Sequence, residues 1–317
     1  QRQMCIRDSN NSITSNGNSI TITIDATAGT GTIAKYLYSK DNGVSYVQSA
    51  NNTYTFTGLD KGTYNIKAYV QDSNGKNSEI ISKTIEITSI TLADYVKSLY
   101  TGTQGNNGIY YHDANLTNGA NDNSYRYAGA NPNNYVCLGS TENPCPDANL
   151  FRIIGVFGDQ VKLIKANPLV NQVAWDGRSG RNTWSTSTLN TYLNETYLTS
   201  LGILSDKIAT MTWKVGGNDY ANINNAIPEI AYQNEIVNPV TTNTTDSKTE
   251  YKAKVGLMYV SDYGFAAAPS AWTLVGWDSD STKDYRTATS INWMYMGLDE
   301  WLISRNADGS GSAFLVD

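Results

Sequence analysis

Strict period-two alternation is the strongest constraint on how this chain can fold. Ile20, Ile22 and Ile24 share one side of a run whose other side carries Thr21 and Thr23. Such a pattern demands an extended strand with one buried face, because a shift of one residue would turn every isoleucine outward. Tyr36 and Tyr38 repeat the pattern in a run that closes at Asp41-Asn42-Gly43, a strong turn signal. Tyr54 and Phe56 follow, then Tyr64, Ile66, Ala68 and Val70, then the turn Ser73-Asn74-Gly75 and a last run with Ile85 and Ile87. Short alternating strands punctuated in this way predict an all-β immunoglobulin-like sandwich over 10–88.

The pattern changes after a short linker at 89–91. Thr91 reads as a helix N-cap with Asp94 three residues on, and Leu92, Tyr95, Val96 and Leu99 fall on one helical face. An Asn/Gly/Tyr-rich loop runs from 101 to 135. The runs 151–156 and 160–165, joined by Phe157-Gly158-Asp159, predict a hairpin buried on both faces. Leu189, Tyr192, Leu193 and Tyr197 mark a second helix ended by Gly202. Further strands are expected at 207–215, 255–260, 293–296 and 301–304, with long polar loops over 216–251 and 278–292. Residues 92–317 are therefore expected to form an α+β domain.

Composition narrows the function classes. The 317 residues carry a net charge of −6 and only 16% charged side chains, against 40% hydrophobic residues. That is apolar enough for real cores and too acidic and weakly charged for nucleic-acid binding. No apolar run approaches the roughly 18 residues of a membrane helix. One His and three Cys exclude most metal sites and most His-dependent catalysis.

The first module resembles a bacterial Ig-like or fibronectin type III domain through Ile33-Ala34-Lys35-Tyr36, Thr55-Phe56-Thr57-Gly58-Leu59 and Gly62-Thr63-Tyr64. Tyr64 then stands where that family places its tyrosine corner, whose hydroxyl ties the crossover to backbone. The resemblance implies a stalk module. In the second part, Tyr110-Tyr111-His112-Asp113, Tyr125-Arg126-Tyr127, 131–137, 151–155, Trp184-Ser185-Thr186-Ser187, Asn292-Trp293-Met294-Tyr295 and 300–305 resemble a bacterial surface domain of unknown function. That family carries a Trp-Trp-Leu-Arg-Ser-Pro signature and a closing Gly-Val-Arg-Pro strand, and is distantly similar to C-type-lectin-like and formylglycine-generating folds. Glu300-Trp301 replaces the paired Trp here, no Pro follows Arg305, and the closing strand is missing. Residues 1–9 resemble a translated sequencing-adapter tag and are set aside, so native ends are expected beyond both termini.

Several constellations invite chemistry. Cys137 and Cys145, eight apart, favour a disulfide if the protein is exported and two free thiols if it is not. His112 beside Asp113 lacks a Gly-x-Ser-x-Gly nucleophile elbow, and a loop histidine hydrogen-bonded for structure is the better reading. Glu229, Glu235, Asp262, Asp299 and Glu300 are carboxylates of the kind a glycosidase pairs, but spacing does not show two of them facing each other. Formylglycine-type oxidation needs late cysteines, and none follows Cys145. Asp278, Asp280, Thr282 and Asp284 alternate like half of an EF-hand loop, but Lys283 replaces the needed Gly and Thr289 the closing Glu. A solvated acidic loop is favoured, and no metal or other cofactor is expected.

Aromatic surface remains. Trp272, Trp277 and Tyr295 are the expected ligand contacts, because aromatic faces beside amide side chains suit sugar rings; Trp293 and Trp301 are expected in the core. The sequence thus points to a secreted or cell-surface bacterial protein with a non-catalytic head that binds glycan or host or matrix protein. A structural subunit of a surface layer or pilus, and a carboxylate-pair glycan-cleaving enzyme, are the alternatives.

Overall fold

The computed structural model describes residues 5–6, 11–28, 31–88, 91–169, 171–178, 180–218, 225–239, 249–306 and 313–316. The expected linker at 89–91 lies mostly outside them. The chain divides into two compact units, Gln1–Leu99 and Tyr100–Asp317.

The first unit is a β-sandwich. One sheet contains β2 (Ser12–Asn16), β3 (Ser19–Thr23) and β7 (Thr53–Phe56) in the order β2-β3-β7. The facing sheet contains β5 (Ile33–Ser39), β6 (Val47–Ser49), β8 (Gly62–Asp72) and β9 (Ile81–Ile87) in the order β6-β5-β8-β9, all antiparallel. Two short strands, β1 (Cys5–Ile6) and β4 (Ala26–Thr27), pair beside them, so part of the stretch set aside as a tag is strand-paired. Alternation does what its period requires. Ile20, Ile22, Ile24, Ile66, Ala68, Val70 and Ile87 are all nearly or wholly buried, with Tyr38 and Phe56 between the sheets. The hydroxyl of Tyr38 donates to Asn51 O at 2.8 Å, which lets a phenol sit in an apolar core. The Asp41-Asn42-Gly43 turn has positive φ at Asn42 (62°) and Gly43 (86°), the twist a tight hairpin needs.

The crossover into β8 is pinned by Tyr64, whose hydroxyl donates to Asp60 O at 3.0 Å. This is the tyrosine-corner contact. The helix α1 (Leu92–Ser98) starts at Thr91, whose hydroxyl accepts the Asp94 amide at 3.0 Å. Its buried residues are Ala93 and Val96, while Tyr95 is 53% exposed, so the inward face is rotated from the expected one. The Asp94 carboxylate lies against Gly17, where a Cβ would collide with it. That contact groups α1 with the sandwich, whereas the expected boundary fell before it.

The second unit is built on a five-stranded antiparallel sheet. It contains β10 (Ile109–Tyr111), β11 (Tyr125–Tyr127), β12 (Tyr135–Cys137), β13 (Leu150–Phe157) and β14 (Gln160–Lys165). β13 is the spine: β14 pairs along one side, and β11 and β12 share the other. Its register shifts between Ile153 and Gly155. A Cβ on Gly155 would lie 2.5 Å from Tyr125 O, so only glycine lets β11 approach there. β10 is an edge strand, and its exposed backbone is closed by a side chain. Gln104 Oε1 accepts the Tyr111 amide and Gln104 Nε2 donates to Tyr111 O, both at 2.8 Å.

Smaller sheets join β15 (Met211–Lys214) to β17 (Glu250–Ala253), and β16 (Gly217–Asn218) to β18 (Glu300–Asn306) and β19 (Ala313–Val316). The helices are α2 (Thr188–Thr191), which continues through a wider turn over Tyr192–Tyr197, α3 (Pro228–Tyr232) and α4 (Val260–Ala266). Two expected strands are absent. Residues 255–259 lead into α4, a helix buried on every side, so its apolar run carries no helical stripe to distinguish it from a strand. Residues 293–296 form a tight turn: Trp293 Nε1 donates to Tyr127 O at 2.9 Å and Met294 N to Asn292 Oδ1 at 3.0 Å, which takes the segment out of any ladder.

Replacing Tyr64 by Phe removes one partly exposed hydrogen bond and nothing else. Denaturant unfolding of the first unit is expected to lose about 1 kcal/mol; no loss would show that the contact does not hold the crossover.

Candidate functional site

The three expected ligand contacts do not form one surface. Trp272 is fully buried: it packs on Phe265, His112 and Tyr110, and its indole N–H donates to Ala267 O at 3.0 Å. With both faces and its polar edge already occupied, it has none to offer a ligand, and the expectation for Trp272 is corrected to a core role. Trp277 is 48% exposed, with the Arg286 guanidinium carbon 5.9 Å from its ring centre. Tyr295 is half-buried against the cluster that contains Met294 and Trp293, and the exposed Met296 and Leu298 follow it.

The structure instead gathers an aromatic group that the sequence analysis did not single out. Tyr111 and Tyr125 stand opposite each other on β10 and β11 and stack with ring centres 4.6 Å apart. Tyr100 packs on both, at 5.8 and 5.6 Å. All three rings are partly exposed, and the Tyr111 hydroxyl donates to Asn123 Oδ1 at 3.1 Å. The result is a tyrosine face with amide groups, Asn123 and Gln104, bonded beside it. The signal was present in the repeated Tyr of β10 and β11, but direct cross-strand pairing depends on a register that one strand's pattern does not specify.

Beneath the sheet lies a buried charge network. Arg126 on β11 is 2% exposed; its Nη2 meets Asp122 at 2.7 Å, its Nε donates to Ser124 Oγ at 2.8 Å, and its Nη1 is 3.7 Å from Asp262. The rings of Phe157, Phe265 and Tyr232 surround the guanidinium, at 4.6, 5.0 and 5.3 Å. Asp262 on α4 accepts the Tyr259 amide at 3.0 Å and pairs directly with Lys162 of β14. The Lys162 ammonium lies 4.3 Å from the Tyr259 ring centre and 5.3 Å from that of Trp213. Burial lowers its pKa, and Asp262 and Glu235 oppose that shift.

Glu235 is wholly buried and caps the start of α4. It accepts the amides of Val260 at 2.9 Å and Ser261 at 3.1 Å, and the Ser304 hydroxyl. Burial pushes its pKa up to about 7, against the opposing pull of those hydrogen bonds. Glu300 is likewise raised to about 7 by burial. Of the five carboxylates considered for glycoside cleavage, Glu235 and Asp262 therefore meet at one helix start. They are 0% and 3% exposed, and both are engaged in structural hydrogen bonds.

The remaining candidates have local roles. His112 is fully buried; its Nδ1 accepts the Ala120 amide at 3.0 Å and its ring stands edge-on to Phe265. Burial first, then the nearby Arg126, hold its pKa well below the usual histidine value, so it stays neutral. Asp113 turns away to Asn115. In the acidic loop, Asp284 is buried, accepts the amides of Asp278 and Arg286 and is paired with Arg286, while Asp280 accepts from Thr282. Among the described residues, no group of three or more His, Cys, Asp or Glu is arranged to hold a metal ion. Cys137 and Cys145 are joined by a disulfide.

Glu235 sets a pH dependence. Its native pKa lies above the ordinary 4.5, so the folded chain holds that proton more tightly than the unfolded one. Its stabilising contribution is complete below about pH 4.5 and is lost as pH rises through about 7. Between pH 5 and 8, wild type is expected to lose on the order of 3 kcal/mol of unfolding free energy beyond any loss in Glu235→Gln. Parallel pH profiles for the two proteins would contradict this.

Comparison with known proteins adds likeness over part of the chain. No protein-family model matches, and a search of curated proteins finds no match. The PKD1 domain of the Vibrio cholerae metalloprotease PrtV is similar at 20% identity and TM-score 0.23, over 27% of this chain and 99% of that one. A fibronectin(III)-like module of Clostridium thermocellum CbhA is similar at 17% identity and TM-score 0.23, over 28% and 100%. A carbohydrate-binding module of the β-sandwich superfamily is similar at 23% identity and TM-score 0.22, over 28% of this chain and 35% of that one.

Proposed function

We propose that this chain is an extracellular, bacterial-surface binding protein. An immunoglobulin-like stalk carries an α+β head, distantly C-type-lectin-like, that recognises glycan without cleaving it. The observation that carries the reading is the Tyr100–Tyr111–Tyr125 face. Three partly exposed rings in mutual contact, with their phenol hydroxyls and the Asn123 side chain at the edge, offer what a pyranose needs: an apolar surface for its C–H face and hydrogen-bonding groups for its hydroxyls.

Three further features support it. The Cys137–Cys145 disulfide suits an oxidising compartment. No helix among the described residues is long and apolar enough to cross a membrane. Glu235 and Asp262, the two candidate carboxylates that share one helix start, are buried out of reach of a polysaccharide, which favours binding over hydrolysis at that pair. Trp277, with Met296 and Leu298 also exposed, suits a host or matrix protein better than a sugar, and is the second reading.

A glycan array followed by calorimetry on the hits tests the proposal. Tyr111→Ala and Tyr125→Ala are each expected to weaken binding about tenfold, the loss of one stacked ring, with no reducing sugar released. Binding that survives both changes and fails in Trp277→Ala would move the site to the second surface. No binding across glycan and matrix-protein panels would sink the recognition reading.

A further inference from the structure

The Lys162–Asp262 pair is unusual in its chemistry as well as its burial. A lysine amine and an aspartate carboxyl are in direct contact, with side chains only 16% and 3% exposed. The residues around them are Tyr259, Trp213, Arg126 and the start of α4, where Glu235 is also seated. We infer that this pair is a modification site, at which Lys162 Nζ and Asp262 Cγ condense spontaneously into an intramolecular amide bond that staples β14 to α4.

The atoms balance without any co-reactant. The ammonium gives one proton to the carboxylate, leaving a neutral amine and a neutral acid. The amine lone pair then adds to Cγ, forming the Nζ–Cγ bond. A second proton passes from Nζ to a hydroxyl on Cγ, the Cγ–O bond breaks, and one water leaves. Nζ keeps one hydrogen as the amide N–H. The starting ion pair and the product are both neutral overall, so no charge is stranded in the core.

Two observations favour the step. Two groups fixed in contact react at effective concentrations far beyond any in solution, on the order of 10⁵ M or more. Burial lowers the Lys162 pKa and so favours the nucleophilic neutral amine. The product also relieves the cost of keeping two ions out of water. The inference is independent of what the head binds.

The full chain, unfolded and with its disulfide reduced, is weighed by intact-mass spectrometry and then digested with trypsin. The expected mass is one water below that of the sequence, with a branched peptide that joins 153–165 to 255–283 through Lys162 and Asp262. Lys162→Arg, which keeps the cation but cannot form the amide, is expected to show the full mass. A wild-type chain of full mass that unfolds cooperatively overturns the inference, and so does a lost water that persists in Lys162→Arg or maps elsewhere. The wild-type digest decides the matter even if a variant fails to fold.

Discussion

The second unit is organised around one shared carboxylate. Asp262 takes the Tyr259 amide that opens α4, the ammonium of Lys162 on β14 and, more loosely, the guanidinium of Arg126 on β11. A helix and two strands far apart in sequence are thereby tied at one point. Charges buried this deeply stabilise only when nearly every lone pair and proton is engaged, because each ion has given up its hydration. Arg126 meets that condition through Asp122, Ser124 and three aromatic rings, and α4 through Glu235. Such a network tolerates few alternative packings, which is one way that a loop-rich unit reaches a single arrangement.

The two units achieve order by different means. The sandwich relies on alternation and a continuous apolar core, with polar groups confined to its turns and corner. The second unit has long connections whose backbone groups need partners, and side chains supply many of them. Asn134 serves Ile153 O, Asn292 serves Tyr263 O and the Met294 amide, and Asn194 serves the Val255 amide and carbonyl. The asparagine-rich composition is therefore structural wiring as much as surface. Four asparagines, Asn107, Asn118, Asn121 and Asn123, also hold positive φ in these connections.

How much was legible in the sequence follows from the same difference. The sandwich strands, the Tyr64 corner, the Thr91 cap and the β13–β14 hairpin all depend on neighbours within a few residues or on period two, and all could be read. α4 could not, since a helix buried all round has no polar face to mark it. The charge network was invisible because its members lie at 122, 126, 162, 235 and 262, and only tertiary folding joins them. One trace was present: Lys162 shares its strand face with Ile164, which packs against a core cluster, and a lysine on an inward face needs a partner. Trp272 was misjudged because a Pro/Gly/Ser context suggests exposure, whereas an indole of that size is more often interior.

The pairing of Gln104 with Tyr111 bears on how copies of this chain could associate. A bare outer strand is where one sheet continues into another, the route by which many fibres and pili grow. Here that backbone edge is occupied by an amide from the same chain, contributed by a residue only seven positions away. The tyrosine face therefore borders a closed edge, and any assembly across it has to be made by side chains, ring against ring.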